Sequence, residues 1–208
     1  MSDNYFKILA EDRVYPIIRD KDYKKTIDIA QALIDGGIRL LEINVETPEI
    51  FSAIKEISKS AIVCAGGIIT STQADWAFRN GAKLFASPIF QMNLVRISKN
   101  LRIPFIAGTT TANEAYNAWK ARIQLIKIFP AEAMGGAQYI ENILRQMPFL
   151  NLMPTGDIKL NSVVSYLNAG ATTVGVGRDF YFGYTTNEIT ERTKEILTEV
   201  RNFSKKNL

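Results

Sequence analysis

The sequence predicts an α/β fold of the (β/α)8 TIM-barrel class, with a short extra N-terminal helix near residues 3–11. Eight short apolar segments rich in β-branched residues alternate with amphipathic segments, which is typical of parallel strands joined by helices. Glycine-bearing turns precede several of the apolar segments, as in short helix-to-strand connections. No linker or low-complexity stretch divides the 208 residues, so we expect one barrel domain over residues 1–208.

The eight predicted strands consist mostly of residues that favour extended, buried backbone. An open, doubly wound parallel sheet would show the same alternation, because the order of elements does not reveal whether a sheet closes. In chain order, the predicted strands are VYPIIR (14–19), IRLLEIN (38–44), AIVCAG (61–66), KLFAS (83–87), IPFIAG (103–108), IQLIKIF (123–129), FLNLMP (149–154) and TTVGVG (172–177).

The segments between the strands show the spacing of amphipathic helices. Ile27, Ala30 and Leu33 share one face of a helix over residues 24–35, and Gly36-Gly37 supplies its C-terminal stop. Residues 139–147 and the C-terminal segment repeat this spacing. Each predicted strand is thus followed by a helix, as the barrel requires.

The composition narrows the possible chemistry. The formal net charge is only +4 and no basic cluster stands out, so we expect neither a nucleic acid nor a membrane as partner. With one cysteine, Cys64, and no apolar signal-peptide core near the N-terminus, the expected location is the reducing cytoplasm. The histidine count of 0 excludes a Ser-His-Asp triad, a Cys-His pair and histidine-based metal sites. Acid–base chemistry would fall to Glu, Asp, Lys, Tyr or water.

A lysine stands in the sixth predicted strand, near the end where barrels hold their functional groups. Alternation along IQLIKIF places Ile123 and Leu125 on the same face as Lys127. The β-branched Ile126 and Ile128 lie on the other face, which would pack against the outer helices. Lys127 is therefore predicted to point into the mouth of the barrel.

A second inward polar residue is predicted on the second strand, where Glu42 shares its face with Leu40 and Asn44. A buried Lys–Glu pair has two interpretations, a functional pair and a structural ion pair. Periodicity leaves both open.

Two further loops carry glycine directly after a strand, PTGD (154–157) and GVGRD (175–179). Glycine in such a place is often only a turn residue. However, the loops after the seventh and eighth strands of many barrels hold a phosphate, and Arg178 could supply charge there.

Several blocks of the sequence match those of a known family. The most specific is KIFPAE (127–132), which contains the lysine. The other blocks are PIIR (16–19), GGIRLLEIN (36–44), the AG at 65–66, GAKLFASP (81–88), IPFIAG-TTTANE (103–114), MPTG (153–156) and AGATTVGVG (169–177). Over nearly its whole length, the chain resembles the 2-keto-3-deoxy-6-phosphogluconate / 4-hydroxy-2-oxoglutarate aldolase family.

The resemblance implies a class I aldolase without metal or cofactor, built as a (β/α)8 barrel and assembled as a homotrimer. Such an enzyme cleaves a 2-keto-3-deoxy or 4-hydroxy-2-keto acid, with or without a 6-phosphate, to pyruvate and an aldehyde. Carried over by position, Lys127 matches the Schiff-base lysine and Glu42 the glutamate that moves protons. Arg19 matches an arginine that holds the acidic substrate, and Phe129 lines the pyruvyl pocket. The remaining substrate-binding positions are Thr155, Gly156, Gly177 and Arg178.

The sequence departs from the family pattern at four positions. Glu46 stands where an arginine often binds a carboxylate, and Gly67 replaces a threonine. Asp157 and Arg178 replace small residues at the phosphate end. These two side chains either pair and close the phosphate pocket, or Asp157 turns away and Arg178 binds the phosphate. A non-catalytic family member that binds a small anionic metabolite is the alternative function.

Overall fold

The computed structural model describes residues 2–206, which contain eight parallel strands and nine α-helices. The strands are β1 (Val14–Ile18), β2 (Leu40–Asn44), β3 (Ile62–Gly66), β4 (Leu84–Ala86), β5 (Phe105–Thr109), β6 (Ile126–Ile128), β7 (Leu152–Pro154) and β8 (Val174–Val176). The helices are α1 (Ser2–Asp12), α2 (Tyr23–Asp35), α3 (Ile50–Ile57), α4 (Ser71–Arg79), α5 (Met92–Leu101), α6 (Ala112–Lys120), α7 (Gly136–Gln146), α8 (Val163–Asn168) and α9 (Thr186–Lys206). Short 3₁₀ turns cover Leu160–Ser162 and Arg178–Phe180.

The strands follow one another around a nearly closed barrel. Their order is β7-β6-β5-β4-β3-β2-β1-β8, so the eighth strand lies beside the first. At the seam between β7 and β8, the Thr172 N–H donates to the Leu152 carbonyl at 2.9 Å. The predicted (β/α)8 barrel is therefore confirmed, and the open doubly wound sheet is wrong.

The inside of the barrel is filled by side chains from the first halves of the strands, and α1 closes this end. Leu9 of α1 is buried among them, and Tyr5, Phe6 and Ile8 pack against the same cluster. The buried members from the strands and the residues next to them are Tyr15, Leu40, Cys64, Leu84, Ala86, Ile106, Leu125 and Met153. Because side chains fill the end of the barrel that α1 covers, a functional site can lie only at the other end, where the strands have their carboxyl ends.

A second, larger core lies between the strands and the outer helices. It includes Ile126 and Ile128, as the alternation in β6 predicts. Ile123 also belongs to this outer core, so its predicted inward position is wrong. The reason is that β6 begins only at Ile126. At Ile123 the chain is still closing α6, because its N–H donates to the Ala118 carbonyl at 3.2 Å.

All eight predicted strands form, within a few residues of their expected boundaries, and the predicted extra helix covers Ser2–Asp12. Capping residues explain where several helices begin. Thr70 and Thr111 each form a capping box, with Gln73 and Glu114 respectively. Among the helices that the structure describes, none is long and apolar enough to cross a membrane.

Candidate active site

The centre of the site is a direct contact between Lys127 and Glu42 across the barrel. The Lys127 Nζ lies 3.0 Å from Oε1 and 3.1 Å from Oε2 of Glu42. Both residues are buried, with 6% and 1% of their surfaces exposed. Ile126 and Ile128 anchor β6 in the outer core, and this directs Lys127 inward. The two predicted inward residues therefore form one charged pair.

Two glycines lie beside this pair in the strand register, and only Gly66 leaves space that the pair itself occupies. At Gly66, directly beside Asn44 in the register of β2 and β3, a Cβ atom would lie 2.3 Å from Glu42 Oε1 and 2.1 Å from Asn44 Oδ1. Gly108 is beside Lys127 in the register of β5 and β6, and a Cβ there would lie 2.3 Å from the Pro88 backbone. Both positions therefore exclude any side chain.

The floor of the site is polar but uncharged. Burial raises the pKa of the Cys64 thiol, and the nearby Glu42 carboxylate raises it further. Burial also raises the pKa of the Tyr15 phenol well above its ordinary value, with Cys64 and Glu42 adding to the effect. Both groups are therefore neutral at neutral pH, and Lys127 and Glu42 have no charged neighbour in this layer of the described structure.

Phe129, Thr155 and Gly156 adjoin one another at the ends of β6 and β7. A Cβ on Gly156, whose φ is 105°, would lie 3.1 Å from the Phe129 ring. Thr155 is buried, and a Cβ atom added at Gly175 would lie only 2.3 Å from the Thr155 methyl carbon. Its Oγ1 is buried and has no hydrogen-bond partner within residues 2–206. A buried hydroxyl without a partner is a candidate contact for a ligand.

Arg19 lies in the loop after β1, and its guanidinium is exposed and already paired. Its Nε donates to Glu46 Oε1 at 2.8 Å. Sequence reasoning singled out both residues but missed their contact. The available signal was that β1 and β2 are neighbours in a barrel, so charges of opposite sign directly after them lie close together.

Gly177 and Arg178 lie at the end of β8, where Gly177 begins a 3₁₀ turn. Arg178 Nη2 lies 3.8 Å from Asp157 Oδ1, and both side chains are largely exposed. Of the two arrangements left open by the sequence, the structure shows the paired one. The contact is long and exposed, so it contributes little to stability.

Asn44 is a site residue that sequence reasoning placed on the correct face without giving it a role. Its Oδ1 is buried without a hydrogen-bond partner within residues 2–206. It lies 3.8 Å from the Cβ position of Gly67. The amide of Asn44 thus lies over Gly66-Gly67 and next to Glu42. Within the described chain, no group of three or more His, Cys, Asp or Glu residues is arranged to hold a metal ion.

Comparison with known proteins identifies relatives over most of the chain. The model of the KDPG and KHG aldolase family matches residues 6–195. A 2-dehydro-3-deoxy-phosphogluconate aldolase of Treponema pallidum is 32% identical over 165 residues, which cover 78% of this chain and 79% of the relative. A KHG/KDPG aldolase of Escherichia coli is 31% identical over 163 residues, covering 77% of this chain and 76% of the relative.

Solved structures agree with this assignment. The 2-keto-3-deoxy-6-phosphogluconate aldolase of Zymomonas mobilis, solved with 3-phosphoglycerate, superposes with a TM-score of 0.85 at 25% identity, covering 94% of this chain and 96% of that one. The KDPG aldolase of Legionella pneumophila, solved with pyruvate captured as a covalent carbinolamine, gives 0.84 at 26% identity, covering 92% and 97%. Together with the family match over residues 6–195, these likenesses show that the chain belongs to the KDPG and KHG aldolase family.

Proposed function

We propose that this protein is a class I aldolase that cleaves a 2-keto-3-deoxy or 4-hydroxy-2-keto acid to pyruvate and an aldehyde, with Lys127 as the Schiff-base nucleophile. The observation that carries the proposal is the buried Lys127 amine in contact with both oxygens of Glu42. A nucleophile next to a proton-transfer group is the arrangement that covalent catalysis requires.

The geometry accounts for each chemical step. Glu42 takes a proton from the Lys127 ammonium, and the neutral amine attacks the C2 carbonyl. The protonated Glu42 then gives its proton to the departing hydroxyl as water leaves the carbinolamine. The resulting iminium withdraws electrons from the C3–C4 bond, while the 4-hydroxyl gives its proton to Glu42. The bond breaks and the aldehyde leaves. The remaining enamine takes a proton at C3, and hydrolysis releases pyruvate and free Lys127.

The remaining site residues are proposed to hold the substrate. Phe129 would pack against the pyruvyl part, and the free Oγ1 of Thr155 would accept or donate a hydrogen bond. Gly156 and Gly177 would allow the backbone to approach the far end of the substrate. Arg19 and Arg178 can bind an anion only by sharing or leaving their carboxylate partners, Glu46 and Asp157 respectively.

We also propose that this single-domain chain is a cytoplasmic homotrimer. The support is a group of large apolar side chains that lie exposed on α4, α5 and the loops before them. These are Ile69, Trp76, Phe78, Ile89 and Met92, each 43–48% exposed. Light scattering coupled to size exclusion tests this: a mass of three chains supports the trimer, and a monomer contradicts it.

The experiment that tests the activity is reductive trapping. Incubation with pyruvate and borohydride should add an irreversible reduced adduct to Lys127, located by peptide mass spectrometry. Lys127→Ala should abolish both the adduct and pyruvate formation, while Lys59→Ala, an exposed lysine far from the mouth, should change neither. If the wild-type protein carries no pyruvate adduct after borohydride treatment, the proposed mechanism is refuted.

A second candidate is a non-catalytic protein that binds a small anion. It is favoured by the four departures from the family pattern, which change the substrate-holding positions and leave open whether turnover survives; these are Glu46, Gly67, Asp157 and Arg178. It predicts thermal stabilisation by a 2-keto acid without turnover. Pyruvate formation above background from any such acid decides against it.

A further inference from the structure

The loops that surround the mouth of the barrel are acidic. Between each strand and the α-helix that follows it, the chain carries seven carboxylates and only four cations, although the whole chain has a formal net charge of +4. The carboxylates are Asp20, Asp22, Glu46, Glu49, Glu132, Asp157 and Asp179, and the cations are Arg19, Lys21, Lys159 and Arg178. Lys25 of α2 and Arg192 of α9 also pair with two of these carboxylates, Asp20 at 3.0 Å and Asp179 at 3.8 Å, so that seven carboxylates face six cations. The remaining excess of negative charge around the cleft repels anionic ligands.

Three of the four loop cations are paired with carboxylates of the same loops. Arg19 contacts Glu46 at 2.8 Å, and Arg178 lies 3.8 Å from Asp157. Lys159 Nζ lies 3.1 Å from Asp179 Oδ1. A phosphate binding here would have to compete with these internal carboxylates for each of the three cations.

The carboxylate of Asp179 already occupies an anion-binding position next to the ends of β7 and β8. It accepts the Leu160 N–H at 2.9 Å, and Lys159 and Arg192 add their charges at 3.1 and 3.8 Å. Partial burial would raise the pKa of this carboxyl, yet these donors hold it below its ordinary value. The donors of this loop are therefore used by the chain itself.

Asp157 places a further negative charge where a phosphate would approach. It directly follows Gly156, which adjoins the Phe129 ring. Its backbone is left-handed, with a φ of 55°, and 83% of its side chain is exposed. Its carboxylate, exposed beside Arg178 at 3.8 Å, can still accept hydrogen bonds from hydroxyl groups of a ligand, while its charge repels an anion.

We infer that this aldolase acts on a 2-keto-3-deoxy acid whose far end is an uncharged, hydroxyl-bearing carbon chain, and that Asp157 discriminates against a phosphate or carboxylate there. The inference rests on the proposed aldolase function and specifies its substrate class. A carboxylate about 6 Å from a phosphate dianion in water-like surroundings weakens binding about tenfold. The Asp157 charge, only loosely paired with Arg178 at 3.8 Å, is therefore of the size needed to alter the preference between charged and uncharged substrates.

The test compares three substrates of the full-length protein by initial rates of pyruvate formation. The compounds are 2-keto-3-deoxygluconate and its 6-phosphate, which differ only by the phosphate at the far end, and 4-hydroxy-2-oxoglutarate, a shorter acid that carries a carboxylate there. We expect kcat/KM for the uncharged compound to exceed that for the 6-phosphate by about tenfold, and that for 4-hydroxy-2-oxoglutarate, with a single far-end charge, by about threefold. Added salt should narrow this ratio, because screening weakens the repulsion.

Two variants assign the effect to Asp157. Asp157→Asn keeps a residue that tolerates the left-handed backbone and removes the charge, so it should raise the relative kcat/KM for the 6-phosphate about tenfold. Glu141→Gln, on the outer helix α7, removes the same charge from an exposed ion pair and should leave the ratio unchanged.

The outcomes separate the two levels of the proposal. The inferred substrate class is overturned if the wild type prefers the 6-phosphate or 4-hydroxy-2-oxoglutarate. It is also overturned if pyruvate is trapped on Lys127 but 2-keto-3-deoxygluconate is not cleaved. An unchanged ratio in Asp157→Asn overturns the role of Asp157. Absence of both trapping and pyruvate formation refutes the proposed function itself.

Discussion

Replacing Gly66 by alanine should disable the site by displacing Glu42. The added methyl carbon would lie 2.3 Å from Glu42 Oε1, 2.6 Å from Glu42 Cγ and 2.1 Å from Asn44 Oδ1. Both oxygens would have to retreat by about 1 Å to reach ordinary van der Waals separation. Glu42 Oε1 makes the 3.0 Å contact with Lys127, so this movement breaks the central pair.

The expected magnitude follows from this overlap. Forcing a methyl group into a packed interior costs about 1–3 kcal/mol of the free energy of unfolding. A shift of about 1 Å in a catalytic group costs roughly 100-fold in rate. Gly66→Ala should therefore remain folded but form pyruvate about 100-fold more slowly than the wild type.

The assay combines thermal unfolding by circular dichroism with initial rates of pyruvate formation. Gly36→Ala is the matched control, because its added Cβ would lie 2.4 Å from the Thr193 side chain, in contact with α9 and away from Lys127. It should lose similar stability and keep its rate. Near-wild-type activity in Gly66→Ala would show that catalysis does not depend on the observed position of Glu42.

Three further predictions concern single side chains. Thr155→Val removes a buried hydroxyl that has no partner in the described structure, so the melting temperature should stay the same or rise. Because this hydroxyl is proposed to bind substrate, kcat/KM should fall about tenfold. An unchanged kcat/KM would contradict that role. Because burial raises the pKa of Cys64, a thiol reagent should leave the native protein unmodified at pH 8 and label it only after denaturation; rapid native labelling would contradict this. The pKa of the Asp179 carboxyl is lower in the folded than in the unfolded state, so this group stabilises the fold at any pH above its unfolded-state pKa. The wild type should therefore be more stable than Asp179→Asn at pH 7 and lose this advantage as the pH falls below about 4. A difference in stability that stays constant with pH would refute the linkage.

The period of two along the strands was enough to predict the central pair. Ile126 and Ile128 could face only the outer core, so Lys127 had to face inward. The same reasoning failed at Ile123, because it assumed that the strand began where the apolar run began. The apolar positions extend beyond the strand, because the turn before β6 contributes Ile123 and Leu125.

Contacts between charged loops were beyond the reach of the sequence pattern. The sequence marked Arg19 as a match to the family and Glu46, Asp157 and Arg178 as departures from it, but their pairing depends on how far each loop extends over the mouth. No local period governs a loop side chain. The anion-like position of Asp179 was missed for the same reason, because its donors include Leu160, 19 residues away along the chain.

By itself, the sequence determined the eight alternating units, the extra helix and the inward direction of Lys127 and Glu42. Each of these follows from hydrophobic periodicity, which acts over a few neighbouring residues. Only the tertiary structure decided that the sheet closes and that these two residues, 85 positions apart, meet at 3.0 Å. Closure brings β2 and β6 to opposite walls of one narrow barrel, and its diameter sets the distance between their side chains. The pairing of charges at the mouth is likewise a property of the assembled loops.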